Sequence, residues 1–140
     1  MNSRKASGFW LLASGFKQNV MKDFKKLLIW QKGMELVEET YRMVAFLPAE
    51  EKYGLKSQAT RAAVSVVLNI AEGSAKTSKK EYKNYLETSL GSAFELETIL
   101  LVIERLSLIE KRLVDALIEE VLREQRMISS LINKIRADVQ

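Results

Sequence analysis

Leu27, Trp30, Met34, Val37, Tyr41 and Val44 recur at alternating steps of three and four. That spacing draws one apolar stripe along an α-helix and predicts a first helix over 23–46. Pro48 ends it, because the residue before a proline is pushed out of helical conformation. A loop over 47–54 follows, with Glu50 and Glu51 expected to face water. The second helix is predicted from Leu55 to Glu72, with Gly73 as the left-handed residue that closes it. Its segment 62–71 holds only two polar residues, Ser65 and Asn69, four apart on one face. A helix apolar on nearly every side must be covered on nearly every side, and one bundle covers only part of it.

The third helix opens at Ser78-Lys79-Lys80-Glu81, the pattern in which a Ser hydroxyl and a Glu carboxylate cap orphan amides reciprocally. Its stripe is Tyr82, Leu86, Ser89, Ala93, Leu96, Leu100 and Ile103, while the segment 99–103 is again apolar all round. Ser89, Gly91, Ser92 and Ala93 are small enough to admit a neighbouring backbone at mid-helix. The fourth helix is predicted to open at Ser107-Leu108-Ile109-Glu110 and to run to Ala137. Its main stripe is Leu113, Leu117, Val121, Ile128, Leu131, Ile132 and Ile135, with Val114, Ile118 and Leu122 beside it. Short connections make successive helices antiparallel, so the expected fold is an all-α, up-down-up-down four-helix bundle over 23–138. The surplus apolar surface of helices 2 and 3, carried by Val64, Val67, Leu68, Leu101 and Val102, marks a candidate subunit interface in a homo-oligomer. Ser65 and Asn69 are candidates for buried polar groups that fix helix register or a subunit contact.

Composition agrees with long helices: one proline and six glycines punctuate 140 residues. The chain has no cysteine and no histidine. That removes disulfides, thiolate zinc sites, the usual nucleophile–base pairs and the commonest metal ligands. Glu95 and Glu97, two apart on a helix, point to different faces and make no paired-carboxylate site. Neither an enzyme nor a cofactor is expected.

The N-terminal 26 residues carry six bases against Asp23 alone, whereas the other 114 hold one more acid than base. The high pI therefore belongs to the N-terminus. Residues 1–22 are expected to be an extension outside the bundle, and Met21 offers a second start from which the net charge is +1. The apolar segment 9–13 is too short for a secretory core of about 7–15 residues, and no segment reaches the ~18 apolar residues of a membrane span. The chain is read as cytoplasmic, with no membrane partner.

The residues also resemble a family. Trp30-Gln31-Lys32, Pro48, Glu51, Tyr53-Gly54-Leu55, Gln58, Arg61-Ala62, Ser65, Asn69-Ile70-Ala71-Glu72-Gly73, Ser78, Tyr85-Leu86, Gly91-Ser92 and Glu95-Leu96-Glu97 together resemble the bacterial four helix bundle proteins named after 23S ribosomal RNA intervening sequences. These in turn resemble the accessory variability determinants of diversity-generating retroelements. The match spans 23–137. The family often has a proline before the asparagine; here Val66-Val67-Leu68 stands there and predicts a straight second helix. The resemblance implies a homo-oligomer, with a pentameric barrel favoured, and no known enzymatic activity. For the retroelement relatives it implies nucleic-acid binding through basic surface and partnership with a reverse transcriptase.

In an up-down-up-down bundle the start of helix 1, the turn between helices 2 and 3 and the end of helix 4 lie at one end. Lys22, Lys25, Lys26, Lys32, Lys76, Lys79, Lys80, Lys83, Lys134 and Arg136 collect there against Asp23, Glu72, Glu81 and Asp138. Residues 84–120 compensate, with three bases against eight acids. The basic end is the candidate surface for RNA or DNA backbones, which such charge holds without reading bases. Lysines at the start of helix 3 oppose its dipole. Two alternatives remain open: solvated helix ends, and a protein–protein interaction module that binds no nucleic acid.

Overall fold

The computed structural model describes residues 23–139; the expected extension over 1–22, Lys22 included, lies outside them. Among the described residues there are four α-helices and no strand. They are α1 (Leu28–Val44), α2 (Leu55–Ser74), α3 (Lys79–Arg105) and α4 (Lys111–Val139), with single 3-10 turns at Phe24–Lys26 and Ala49–Glu51. Each helix packs on its sequence neighbours, and α4 returns to α1. The register is antiparallel: Ser89 Oγ donates to the Val66 carbonyl at 2.8 Å, whereas Gly73, one helical stretch later on α2, faces Tyr82 and Tyr85 at the start of α3. The core runs the length of the bundle from Leu47 and Ile109 to Ile135 and Tyr82.

All seven residues of the expected α3 stripe are buried. Ser78 caps α3 by accepting from the Glu81 amide at 3.0 Å. The Glu81 carboxylate accepts from the Ser78 hydroxyl at 3.4 Å, and no bond returns to the Ser78 amide.

The first helix differs from expectation. Leu27 is extended (ψ 130°) and separates the 3-10 turn from α1, so no continuous helix covers 23–46. The buried residues of α1 are Ile29, Gly33, Leu36, Thr40, Met43 and Val44: Val44 is buried as expected, and the rest of the stripe lies one residue ahead of the expected one. Gly33 and Thr40 occupy core positions that apolar periodicity does not reveal; the Thr40 hydroxyl satisfies itself on the Leu36 carbonyl at 2.7 Å. Trp30 is half-buried edge-on to Phe24, and Tyr41 is exposed. Glu51 is half-buried, because its carboxylate accepts from the Leu55 amide at 3.2 Å and so caps α2.

Two helix ends also depart. Gly73 lies inside α2 and has no positive φ. A Cβ there would lie 2.6 Å from Tyr85 Cβ, so the glycine admits α3 rather than closing α2. Ser107 does not open α4: it is the left-handed residue (φ 55°) that closes α3. The Leu108 amide donates to the Ile103 carbonyl at 3.1 Å and the Ser107 amide to the Glu104 carbonyl at 3.0 Å, the paired bonds of a Schellman motif.

Candidate functional site

At the lysine-rich end, the turn between α2 and α3 is held by Ser74, whose hydroxyl donates to the Ala71 carbonyl at 2.8 Å, and by the Lys76 amide on the Gly73 carbonyl at 3.0 Å. The start of α3 is tied to the end of α4 by Lys79 and Asp138 at 3.4 Å. The 3-10 turn Phe24–Lys26 packs against α2 and is capped by Asp23, whose carboxylate accepts from the Lys25 amide at 3.1 Å.

The candidate cations divide into three groups. Lys79, Lys83 and Arg136 are answered by acids: Lys79 by Asp138, and the other two by Glu87 at 3.3 and 3.6 Å. The ammonium of Lys76 lies 5.1 Å from the Tyr85 ring centroid, and that of Lys25 lies 5.9 Å from Phe24. Lys26, Lys80 and Lys134 are exposed and have no acidic partner among the described residues. Lys32 pairs with Glu35 at 3.4 Å and lines a groove between α1 and α4 rather than the end of the bundle.

Of the candidate interface residues, Leu68, Leu101 and Val102 are exposed and Val64 is half-buried. Val67 belongs to the core: it is 6% exposed and packs on Gly33, so it has no surface to offer a second subunit. Ser65 and Asn69 form a polar seam facing α3, with Asn69 Nδ2 donating to the Ser65 carbonyl at 2.9 Å and the Ser65 and Ser92 hydroxyls 2.7 Å apart.

Two polar residues of the α4 core were hidden in the apolar pattern. The stripe steps from Val121 to Ile128, and the intermediate core positions hold Glu124 and Gln125, both buried. Gln125 Nε2 donates to Glu97 Oε1 at 2.8 Å. Neither carboxylate oxygen of Glu124 has a hydrogen-bond partner, and burial pushes its carboxyl up to about 8. A gap of seven in an apolar stripe, filled by an acid, is the signal that marks it. One turn away lies the α1–α4 groove, about 550 Å³, with Leu36, Met43 and Leu117 in its wall and Lys32, Glu35, Glu120 and Arg123 among its rims. No group of three or more acidic side chains placed to hold a metal ion occurs among the described residues. Among the described residues no helix is long and apolar enough to cross a membrane.

The chain is similar to a crystal structure of a protein with unknown function from the S23 ribosomal protein family of Bacteroides thetaiotaomicron VPI-5482. The two share 23% identity and a TM-score of 0.70, over 75% of this chain and 98% of that one. That likeness is one of fold. Among curated proteins none matches it. The family described as 23S rRNA-intervening sequence protein matches residues 25–130, most of the bundle, and the chain belongs to that family.

Proposed function

We propose that the protein is a non-enzymatic homo-oligomeric accessory protein that binds RNA or DNA backbones at its lysine-rich end. The observation that carries this is the exposure of Lys26, Lys80 and Lys134 around one end of the bundle without acidic partners. Unneutralised lysines release counterions on meeting phosphates, which supplies affinity without base specificity. Lys80 also opposes the α3 dipole, so its place is not explained by helix stability. In a cyclic oligomer, with a pentamer as the favoured form, this end repeats once per subunit and makes a basic rim. A reverse transcriptase or another protein acting on RNA is the partner such a rim would serve.

The test is binding of generic RNA and DNA by the full chain across a salt series. Affinity is expected to fall as salt rises. The triple variant Lys26→Glu, Lys80→Glu, Lys134→Glu should flatten that dependence by about three units of slope per subunit, at about 0.9 per phosphate contact. Absence of binding at low salt, or binding indifferent to salt, overturns the reading. The exposed Leu68, Phe94, Leu101 and Val102 favour a second reading, a protein-interaction module. Recovery of a protein partner after nuclease treatment, without nucleic-acid binding, would select it.

A further inference from the structure

Glu124 sits where three helices meet. It is 1% exposed, on α4. A β-carbon built at Gly33 of α1 would lie 3.1 Å from Glu124 Oε2 and 2.6 Å from Val67 Cγ1 of α2. The α1 backbone is therefore one wall of the carboxyl's surroundings, and the missing side chain at Gly33 is what makes room. An ionised carboxylate without partners in such a place is strongly disfavoured, and this one titrates far above an ordinary glutamate.

No cation waits for it in the closed bundle. On α1, Lys32 and Glu35 flank the notch and pair with each other. On α4 itself, Arg123 and Glu120 pair at 2.9 Å. Glu97 of α3 is engaged by Gln125. From α2 comes Val67; the charged residues of that helix, Lys56, Arg61 and Glu72, make no ion pair among the described residues. Both cations nearest in sequence to the notch, Lys32 and Arg123, line the α1–α4 groove. Of the four helices, α1 is the shortest, with 17 residues, whereas α2 and α3 form the closest pair.

We infer that Glu124 is a latch for α1. Neutral, it lies against the Gly33 notch with α1 seated. Ionised, it turns into the groove toward Lys32 and Arg123, and α1 lifts from α4 while the α2–α3 pair holds. The direction follows from proton linkage. The seated form keeps a proton that the open form releases, so seating is strongest at acid pH. It weakens as pH rises from the ordinary glutamate value of 4.5 toward about 8 and changes no further above that.

Amide hydrogen exchange on the full chain, corrected for the intrinsic pH dependence of exchange, tests this. Protection of α1 is expected to fall about tenfold per pH unit, hence about 100-fold from pH 5.5 to 7.5, while that of α2 and α3 stays level. Glu124→Gln should make α1 as level as α2. Should that variant fail to fold, the wild-type comparison of α1 with α2 decides alone. Protection of α1 that ignores pH overturns the inference, as does a parallel loss in all four helices, which would mark global unfolding.

Discussion

A β-carbon added at Gly33 would lie 2.6 Å from Val67 Cγ1, and one added at Gly73 would lie 2.6 Å from Tyr85 Cβ, so at both positions a neighbouring helix fills the volume a side chain needs. At Gly91, also inside a helix, nothing lies within 4 Å. Alanine favours a helix interior by about 1 kcal/mol over glycine, whereas forcing a methyl into a filled space costs about 1–3 kcal/mol. Gly33→Ala and Gly73→Ala should therefore lower stability, by up to about 2 kcal/mol net, and Gly91→Ala should raise it by about 1 kcal/mol. Urea midpoints at constant m-value measure all three. In the sequence Gly73 reads as a helix terminator and Gly91 as one of four small residues at a close approach, while Gly33 carries no signal. The type of residue was visible; which face of the helix met a neighbour was not. The same gap hid Glu124, since an acid in an apolar stripe looks like a surface residue until the opposing helix is known.

At the scale of elements, legibility followed how unambiguous each stripe was. For α3 a single row of apolar and small residues exists, and all of it is buried. For α1 two adjacent rows compete. The one carrying the larger side chains, Trp30 and Tyr41, is outward of the one carrying Gly33 and Thr40, because close packing of α1 on α2 and α4 requires small residues. Ser107 shows a similar ambiguity: a serine three residues before a glutamate fits a helix start, yet the chain uses it to end α3 in the left-handed region. A non-glycine residue there is strained by about 1–2 kcal/mol, offset in part by the greater unfolded-state freedom of glycine. Ser107→Gly is expected to raise thermal stability by about 0.5–1 kcal/mol, measured by calorimetry. A loss of stability would mean the serine hydroxyl contributes more than its backbone costs.

For the whole molecule, the gathering of basic residues at one end followed from topology, but their division into paired and unpaired cations did not. Lys79 and Asp138 are 59 residues apart and meet at 3.4 Å only because α3 starts where α4 ends. The seam between α2 and α3 has a consequence for how the chain reaches this structure. These helices are consecutive, joined by a turn of a few residues, and locked by the Ser89–Val66 and Ser65–Ser92 hydrogen bonds. Closing so short a loop costs little chain entropy, so this hairpin is expected to form first and to dominate the folding transition state, with α1 joining afterwards. Leu86→Ala on α3 and Leu36→Ala on α1 both empty core space, each at about 2–5 kcal/mol. In stopped-flow chevrons the first should act mainly by slowing folding and the second mainly by speeding unfolding. The same short reach that lets α2 and α3 pack closely thus sets the order in which the bundle is built.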